Sequence, residues 1–276
     1  MQYTRFTLQA NNSNNEYEIL MALLGEIGFD SFEETEEALL AYIPSKNVNQ
    51  ELLDETLNNL SFKVRYKTEE VAEQNWNAVW ESNFEPVIIA GRCHIRAPFH
   101  LSRPDIEYEL VIEPKMSFGT AHHETTALMI GYLLDMPPVG HRLLDMGSGT
   151  GILAILAQKL GATEIEAIDN DEWAFHNALE NVAQNNTLNT TVRHGDAMIL
   201  DGLDPFDTVY ANINRNILLA DMDRYNQVLK KGGSIFMSGF YFEDLQMVEA
   251  KASGLGWSNT EIREKNKWVA VRFCKE

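Results

Sequence analysis

Apolar and polar residues recur along this chain with two different periods, and the switches between them outline its elements. "YTRFTLQA" (3–10) alternates with period two, as a half-buried strand does. After the polar turn "NNSNN", "EYEILMALLGEIG" sets Ile19, Leu20, Leu23, Leu24 and Ile27 on one helical stripe. "FDSFEE" and "ALLAYIP", a helical "VNQELLDETLNNL" and a strand-like "FKVRYK" follow. Residues 1–66 therefore read β-α-β-β-α-β, the order of a small ferredoxin-like α+β domain. Residues 67–85 read as a connector helix, with Trp76 and Trp80 four apart on one face, as packing of an amphipathic helix requires. Strands are expected next in "VIIAGRCHIRAP" and "IEYELVIEP", punctuated by Pro86, Pro98, Pro104 and Pro114.

From about residue 115 the pattern changes. A helix follows "SFGTAHHETT". Strand then alternates with helix: "HRLLDMG", "ILAILAQKLGA", "EIEAIDN", "EWAFHNALENVAQN". The alternation continues through "TVRHGD", "FDTVYANI", "ILLADMDRYNQVLKKGG", "SIFMSGF" and a helix around "EDLQMVEAKASGLG". Such repetition builds a doubly wound α/β sheet, here assigned to residues 86–276. The last pair, "SNTEIREKN" and "WVAVRFCKE", has no helix between its members and predicts an antiparallel hairpin at the sheet edge.

Composition narrows the function. At 276 residues the chain can hold one medium domain and one small one. The net charge of −19 argues against direct binding of nucleic acid or an acidic membrane, both of which call for fields of Lys and Arg. Excess acid is common among soluble proteins, and it also suits a basic protein partner. The first 66 residues carry 4 Lys/Arg against 11 Asp/Glu, with no His or Cys, so they offer recognition or packing rather than a nucleophile or a metal site. Cys93 and Cys274 make no CxxC pair, and no metal is expected. The N-terminus lacks a signal-peptide pattern, and no apolar run nears the roughly 20 residues of a membrane helix, so the expected location is cytoplasmic.

The chemistry concentrates in "LLDMGSGTGILAI" (143–155), where Gly147, Gly149 and Gly151 alternate after a strand. In doubly wound sheets ligands bind at the carboxyl ends of the strands, where the strand order reverses. The spacing is GxGxG, not the dinucleotide GxGxxG, and no GK[ST] follows. Asp145, just before the turn, would repel a pyrophosphate and suits a ligand with positive charge. Asp169, 22 residues after Gly147 at the end of "EIEAIDN", can accept hydrogen bonds from both ribose hydroxyls. Asp196 in "HGDA" reads equally as a contact to an adenine amino group or as a helix cap. Asn212 in "YANIN" closes the fourth strand at the edge where chemistry belongs.

"EPKMSFGTAHHETT" (113–126), "MGSGTGILAILAQKLGA" (146–162) and "YANINRNIL" (210–218) resemble the ribosomal protein L11 methyltransferase (PrmA) family of class I methyltransferases. The resemblance covers nearly the whole chain. It implies a Rossmann-like, seven-stranded sheet with an antiparallel edge hairpin, S-adenosyl-L-methionine as methyl donor, and ribosomal protein L11 as partner. It implies methylation of lysine side chains and/or an N-terminal amine. Carried onto this sequence, cofactor contacts fall on Thr126, Gly147, Asp169 and Asn212, with Gly149 in the same turn. Phe118, Gly119 and Thr120 would form a loop over the site. The sequence departs from the family at Ala121, where a glycine is usual, at Lys115, and at Asn214, where a leucine is usual.

Gly147 would admit the ligand close to the backbone. Thr125 and Thr126 also read as helix-capping residues. Transfer from a sulfonium needs alignment and exclusion of water more than acid–base chemistry. Asn212 would orient the acceptor amine; His122 and His123 read as loop residues or proton acceptors. Another protein or a small molecule is the alternative acceptor. "NINR" lacks the two prolines of glutamine methyltransferases, and "HHETTA" carries Ala127 where the zinc pattern HExxH needs histidine. A non-enzymatic ligand binder on the same fold is the remaining reading.

Overall fold

The computed structural model describes residues 3–10, 14–35, 38–60, 62–71, 85–113, 115 and 119–276. The chain divides into two compact units, Met1–Asn83 and Phe84–Glu276. In the first, β1 (Tyr3–Gln9), α1 (Asn14–Glu26), β2 (Ser31–Glu34), β3 (Leu39–Pro44), α2 (Gln50–Asn58) and β4 (Arg65–Val71) follow in the expected order. The sheet runs β2-β3-β1-β4, with every pair antiparallel. Phe6, Leu8, Leu20, Leu24, Leu39, Ile43 and Leu53 fill its core. β4 pairs with β1 along its whole length, from Arg65 against Gln9 to Val71 against Tyr3, and so takes residues 67–71 that the sequence assigned to the connector. The rest of the connector, with Trp76 and Trp80, lies outside the described residues.

The second unit opens with a three-stranded sheet: β5 (Val87–Ile89), β6 (Cys93–Arg96) and β7 (Tyr108–Val111). Ala90 and Gly91 join β5 to β6 with positive φ (52° and 66°), the backbone of a tight hairpin. β6 and β7 are parallel. Then come α3 (Glu124–Asp135), β8 (Arg142–Met146), α4 (Ile152–Lys159), β9 (Glu164–Asp169), α5 (Glu172–Gln184), β10 (Thr190–His194) and β11 (Phe206–Asn212). α6 (Arg215–Val228), β12 (Leu229–Tyr241), α7 (Leu245–Gly254), β13 (Trp257–Lys265) and β14 (Trp268–Lys275) complete it. The large sheet has seven strands in the order β10-β9-β8-β11-β12-β14-β13. The run from β10 to β12 is parallel, and β14 inserts antiparallel between β12 and β13. The order reverses beside β8, which places a crevice at the carboxyl ends of β8 and β11.

Period-two alternation builds the core on both faces. Leu143, Ile165, Tyr210, Phe236 and Ala270 face α3 and α4, while Leu144, Ile168, Val209, Ile235, Met237 and Val271 face α6 and α7. A polar stripe holds the small sheet. Asn177 and Asn181 on α5 and Asn185 at its C-terminal cap recur every four residues, and all three are buried. Asn185 accepts from the Val111 amide (2.9 Å) and donates to the Val111 carbonyl (2.6 Å), so its amide imitates a neighbouring strand at the edge of β7. Asn181 accepts from the Glu113 amide (2.8 Å) and donates to the Thr150 carbonyl (2.9 Å), which joins the segment after β7 to the glycine turn.

Asn181→Ala strands one buried donor and one buried acceptor. The expected loss is about 2–4 kcal/mol in denaturant unfolding, beyond the usual loss from an exposed asparagine.

Candidate active site

A cleft of about 440 Å³ lies at the carboxyl edge of the large sheet, within the range of small-molecule sites. One half is lined by Gly147, Gly149, Asp169, Asn170, Asp171 and Ala174, from the ends of β8 and β9 and the start of α5. The other is lined by His123, Thr125, Asn212, Ile213, Asn214, Gly239 and Trp268. The structure thus gathers Gly147, Gly149, Asp169 and Asn212 as the sequence led us to expect. Thr126 lies against a small void shared with Gly119, Gly147, Gly149 and Asn212.

The glycine turn needs its glycines for backbone reasons. Gly147, Gly149 and Gly151 all have positive φ (69°, 55° and 77°). A Cβ at Gly147 would stand 2.6 Å from Ile213 Cγ2, so the protein's own Ile213 already excludes a side chain there. The Gly147 and Ser148 amides both donate to the Ile168 carbonyl (2.8 and 3.0 Å), anchoring the turn to β9. Asp169 is buried and locked. Its Oδ2 accepts from the Gly149 amide (2.7 Å) and its Oδ1 from the Asp171 amide (3.0 Å). Each oxygen keeps a further lone pair for a hydroxyl, the requirement for gripping a ribose.

Asn212 donates its Nδ2 to Thr126 Oγ1 (3.4 Å), and its Oδ1 is buried without a protein partner. The amide oxygen is therefore a buried acceptor without a protein partner, on a residue that lines the cleft. Thr126 is buried in the first turn of α3. The cap of that helix falls to His123, whose Nδ1 accepts from the Thr125 amide (3.3 Å) and lies 2.8 Å from Thr125 Oγ1. His122 bridges Thr120 Oγ1 (3.2 Å) and the Glu85 carbonyl (3.0 Å). The departure at Asn214 has a local cause: Asn214 caps α6, accepting from the Ile217 amide (3.2 Å). Ala121 takes a positive φ of 67°, the conformation in which the family's usual glycine is at ease.

Other expected residues stand elsewhere. Asp145 is fully buried and is absent from the lining of the cleft. Its Oδ2 accepts from the Ala154 amide at the start of α4 (3.1 Å), and its Oδ1 has no protein partner. Burial, with a smaller contribution from the Asp169 charge, pushes this carboxyl up to about 7. Asp196 is exposed and caps a short 3-10 turn through the Met198 amide (2.8 Å), which is the capping alternative; it too is absent from the lining. Gly119 packs on Thr150, whose hydroxyl donates to its carbonyl (2.7 Å). Thr120 is half-buried beside His122, and Phe118 lies outside the described residues. Among the described residues no group of three or more His, Cys, Asp or Glu could hold a metal ion, and no helix is long and apolar enough to cross a membrane.

Sequence reasoning missed Gly239 and Trp268. A Cβ on Gly239 would meet the Ile213 carbonyl oxygen at 2.2 Å, so β12 lies flat on the loop after β11. The "SGF" in a predicted strand was the available signal, since glycine inside a strand marks a close backbone approach. Trp268 follows a hairpin turn, and only the pairing of β14 with β12 carries it to the cleft.

This sheet order, with a glycine turn after the first central strand and a carboxylate after the second, defines a class I methyltransferase. The fold is similar to the crystal structure of "ribosomal protein L11 methylase" from Lactobacillus delbrueckii subsp. bulgaricus, with a TM-score of 0.65 over 70% of this chain and 100% of that one, at 23% identity. Residues 8–276 match the family "Ribosomal protein L11 methyltransferase (PrmA)". The protein called "Ribosomal protein L11 methyltransferase" in Porphyromonas gingivalis is 46% identical over 286 residues, covering 100% of this chain and 99% of that protein. Its namesake in Bacteroides fragilis is 45% identical over 278 residues, 99% of each. The chain belongs to the ribosomal protein L11 methyltransferase family.

Two outcomes test the geometry. The folded protein binds more protons than the unfolded chain between the ordinary carboxyl value of 3.8 and about 7 at Asp145, so this residue makes stability fall as pH rises through that window. Melting curves of Asp145→Asn and wild type are expected to shift in the variant's favour from pH 5 to pH 8. Both positions have positive φ, but Gly239→Ala meets backbone at 2.2 Å and is expected to lower the melting temperature more than Gly147→Ala, which meets the Ile213 side chain at 2.6 Å.

Proposed function

We propose that the protein is an S-adenosyl-L-methionine-dependent N-methyltransferase that modifies ribosomal protein L11 on lysine side chains and/or its N-terminal amine. The observation that carries this reading is the unpartnered Asn212 Oδ1, buried at the rim of a cleft whose opposite half holds a locked carboxylate. Family membership and full-length relatives named for L11 support the acceptor.

The residues fit the donor. Asp169 presents free lone pairs to a ribose, Gly147 and Gly149 line the cleft with bare backbone, and no Lys or Arg stands among the described lining residues to favour a phosphate. Thr126, Gly147, Gly149, Asp169 and Asn212 are the contacts we assign. S-adenosyl-L-methionine, when bound, supplies a methyl group on a positively charged sulfur. The chain must then deliver a neutral nitrogen. A lysine amine carries a proton up to about pH 10.4 in water, and leaving water for the cleft disfavours that charge. Asn212 Oδ1 accepts an N–H of the amine and so aims its lone pair, while Thr126 holds the amide. The acidic N-terminal unit, with its β-α-β-β-α-β order and β2-β3-β1-β4 sheet, supports a ferredoxin-like recognition domain for a basic protein. A cytoplasmic site of action follows from that substrate.

The test is mass spectrometry of unmethylated L11 incubated with the protein and S-adenosyl-L-methionine. Mass increments of one methyl are expected with wild type. Asp169→Ala is expected to lose donor binding by calorimetry. Asn212→Ala, which removes one donor contact as well, is expected to weaken donor binding less than Asp169→Ala does while transfer at saturating donor falls about a hundredfold, the scale of a lost positioning contact. Intact donor binding with no mass added to L11 would shift the acceptor to another protein or a small molecule.

A further inference from the structure

The two halves of the cleft differ in charge chemistry. The half from β8 and β9 carries Asp169 and Asp171, whereas none of the seven residues lining the other half is Asp or Glu. That second half has instead an aromatic corner. Trp268 is half-buried at the first position of β14, directly opposite Tyr241 of β12. The Tyr241 ring lies 4.1 Å from it at 33°, and the His123 ring 4.6 Å away at 68°. The corner is braced from three sides. Asn266 and Lys267 form the preceding turn with positive φ, Asn266 Nδ2 donates to Glu124 of α3 (2.9 Å), and the Phe242 amide donates to the Lys267 carbonyl (2.9 Å).

A carboxylate beside an acceptor amine would hold it as an unreactive ammonium. An aromatic ring attracts a cation without taking its proton, and does so more strongly once the cation is out of water. Resting on the function proposed above, we propose that Trp268, braced by Tyr241 and His123, is the specificity-determining wall for the acceptor and selects alkyl amines. As the nitrogen lone pair forms the new N–C bond, the C–S bond breaks with its electron pair going to sulfur. One positive charge moves from sulfur to nitrogen, into the half beside Trp268 whose described lining residues include no carboxylate. The resulting ammonium then gives its extra proton to water. An amide or a hydroxyl acceptor gains nothing comparable from the ring.

The experiment pairs kinetics with a binding probe on the full-length protein. Trp268→Leu keeps apolar bulk and removes the ring; Trp268→Phe keeps a ring. The leucine variant is expected to lose about tenfold in kcat/KM toward L11 with donor affinity unchanged within twofold, and the phenylalanine variant to recover most of it. Equal losses in both variants, or none in the leucine variant, would overturn the proposal. Independently of turnover, tetramethylammonium chloride should perturb indole fluorescence in wild type but not in Trp268→Leu, and tert-butanol, its uncharged isostere, should do so in neither. Equal responses to the two probes would also overturn it. Absence of transfer to L11 together with a cation-selective response would sink the L11 acceptor and leave the wall standing.

Discussion

The Asp169 carboxylate is the hinge of the structure. It is buried at the end of β9 and accepts two backbone amides, one from the glycine turn after β8 and one from the start of α5. Those bonds hold three chain segments at one point on the carboxyl edge of the sheet. An unpaired buried carboxylate would cost several kcal/mol, so the turn must take the conformation that presents the Gly149 amide. Only glycine enters that conformation without strain, which links the backbone of residues 147–151 to the charge at 169.

From that point the site extends by backbone contacts rather than by long side chains. Gly147 packs under Ile213, Gly239 packs under the Ile213 backbone, and Asn214 caps the next helix. Asn212 is thereby held between two parallel neighbours, with one end of its amide on Thr126 and the other unpartnered. Asn181 of α5 binds the same turn from behind, through the Thr150 carbonyl. Methyl transfer suits such a site, because it depends on alignment and dryness more than on a strong acid or base.

Charge is sorted along the cleft. Asp145 and Asp169 both lie under or beside the glycine turn, and their mutual repulsion adds to burial in raising Asp145. The opposite half carries amides and aromatic rings and no carboxylate among the described lining residues.

Much of this was legible in the chain. Period-two and period-3.6 patterning outlined nearly every strand and helix, because burying one face of a sheet or helix forces those periods. The GxGxG turn, Asp169 and Asn212 were readable because the turn and the strand ends need those residue types wherever the ligand sits. The reach of β4 to Val71 was not readable, since a polar edge strand ends where its partner β1 ends and not where its own pattern fades. The asparagines of α5 gave no signal in the sequence, because a polar repeat on a helix carries no mark of burial; packing against β7 makes it a buried ladder. Asp145 was placed near the ligand by sequence position, but the fold turns its carboxylate under α4. Trp268 lies more than 50 residues from Asn212 in the chain. Its arrival at the same cleft depends on β14 inserting between β12 and β13, a long-range pairing that no local pattern encodes.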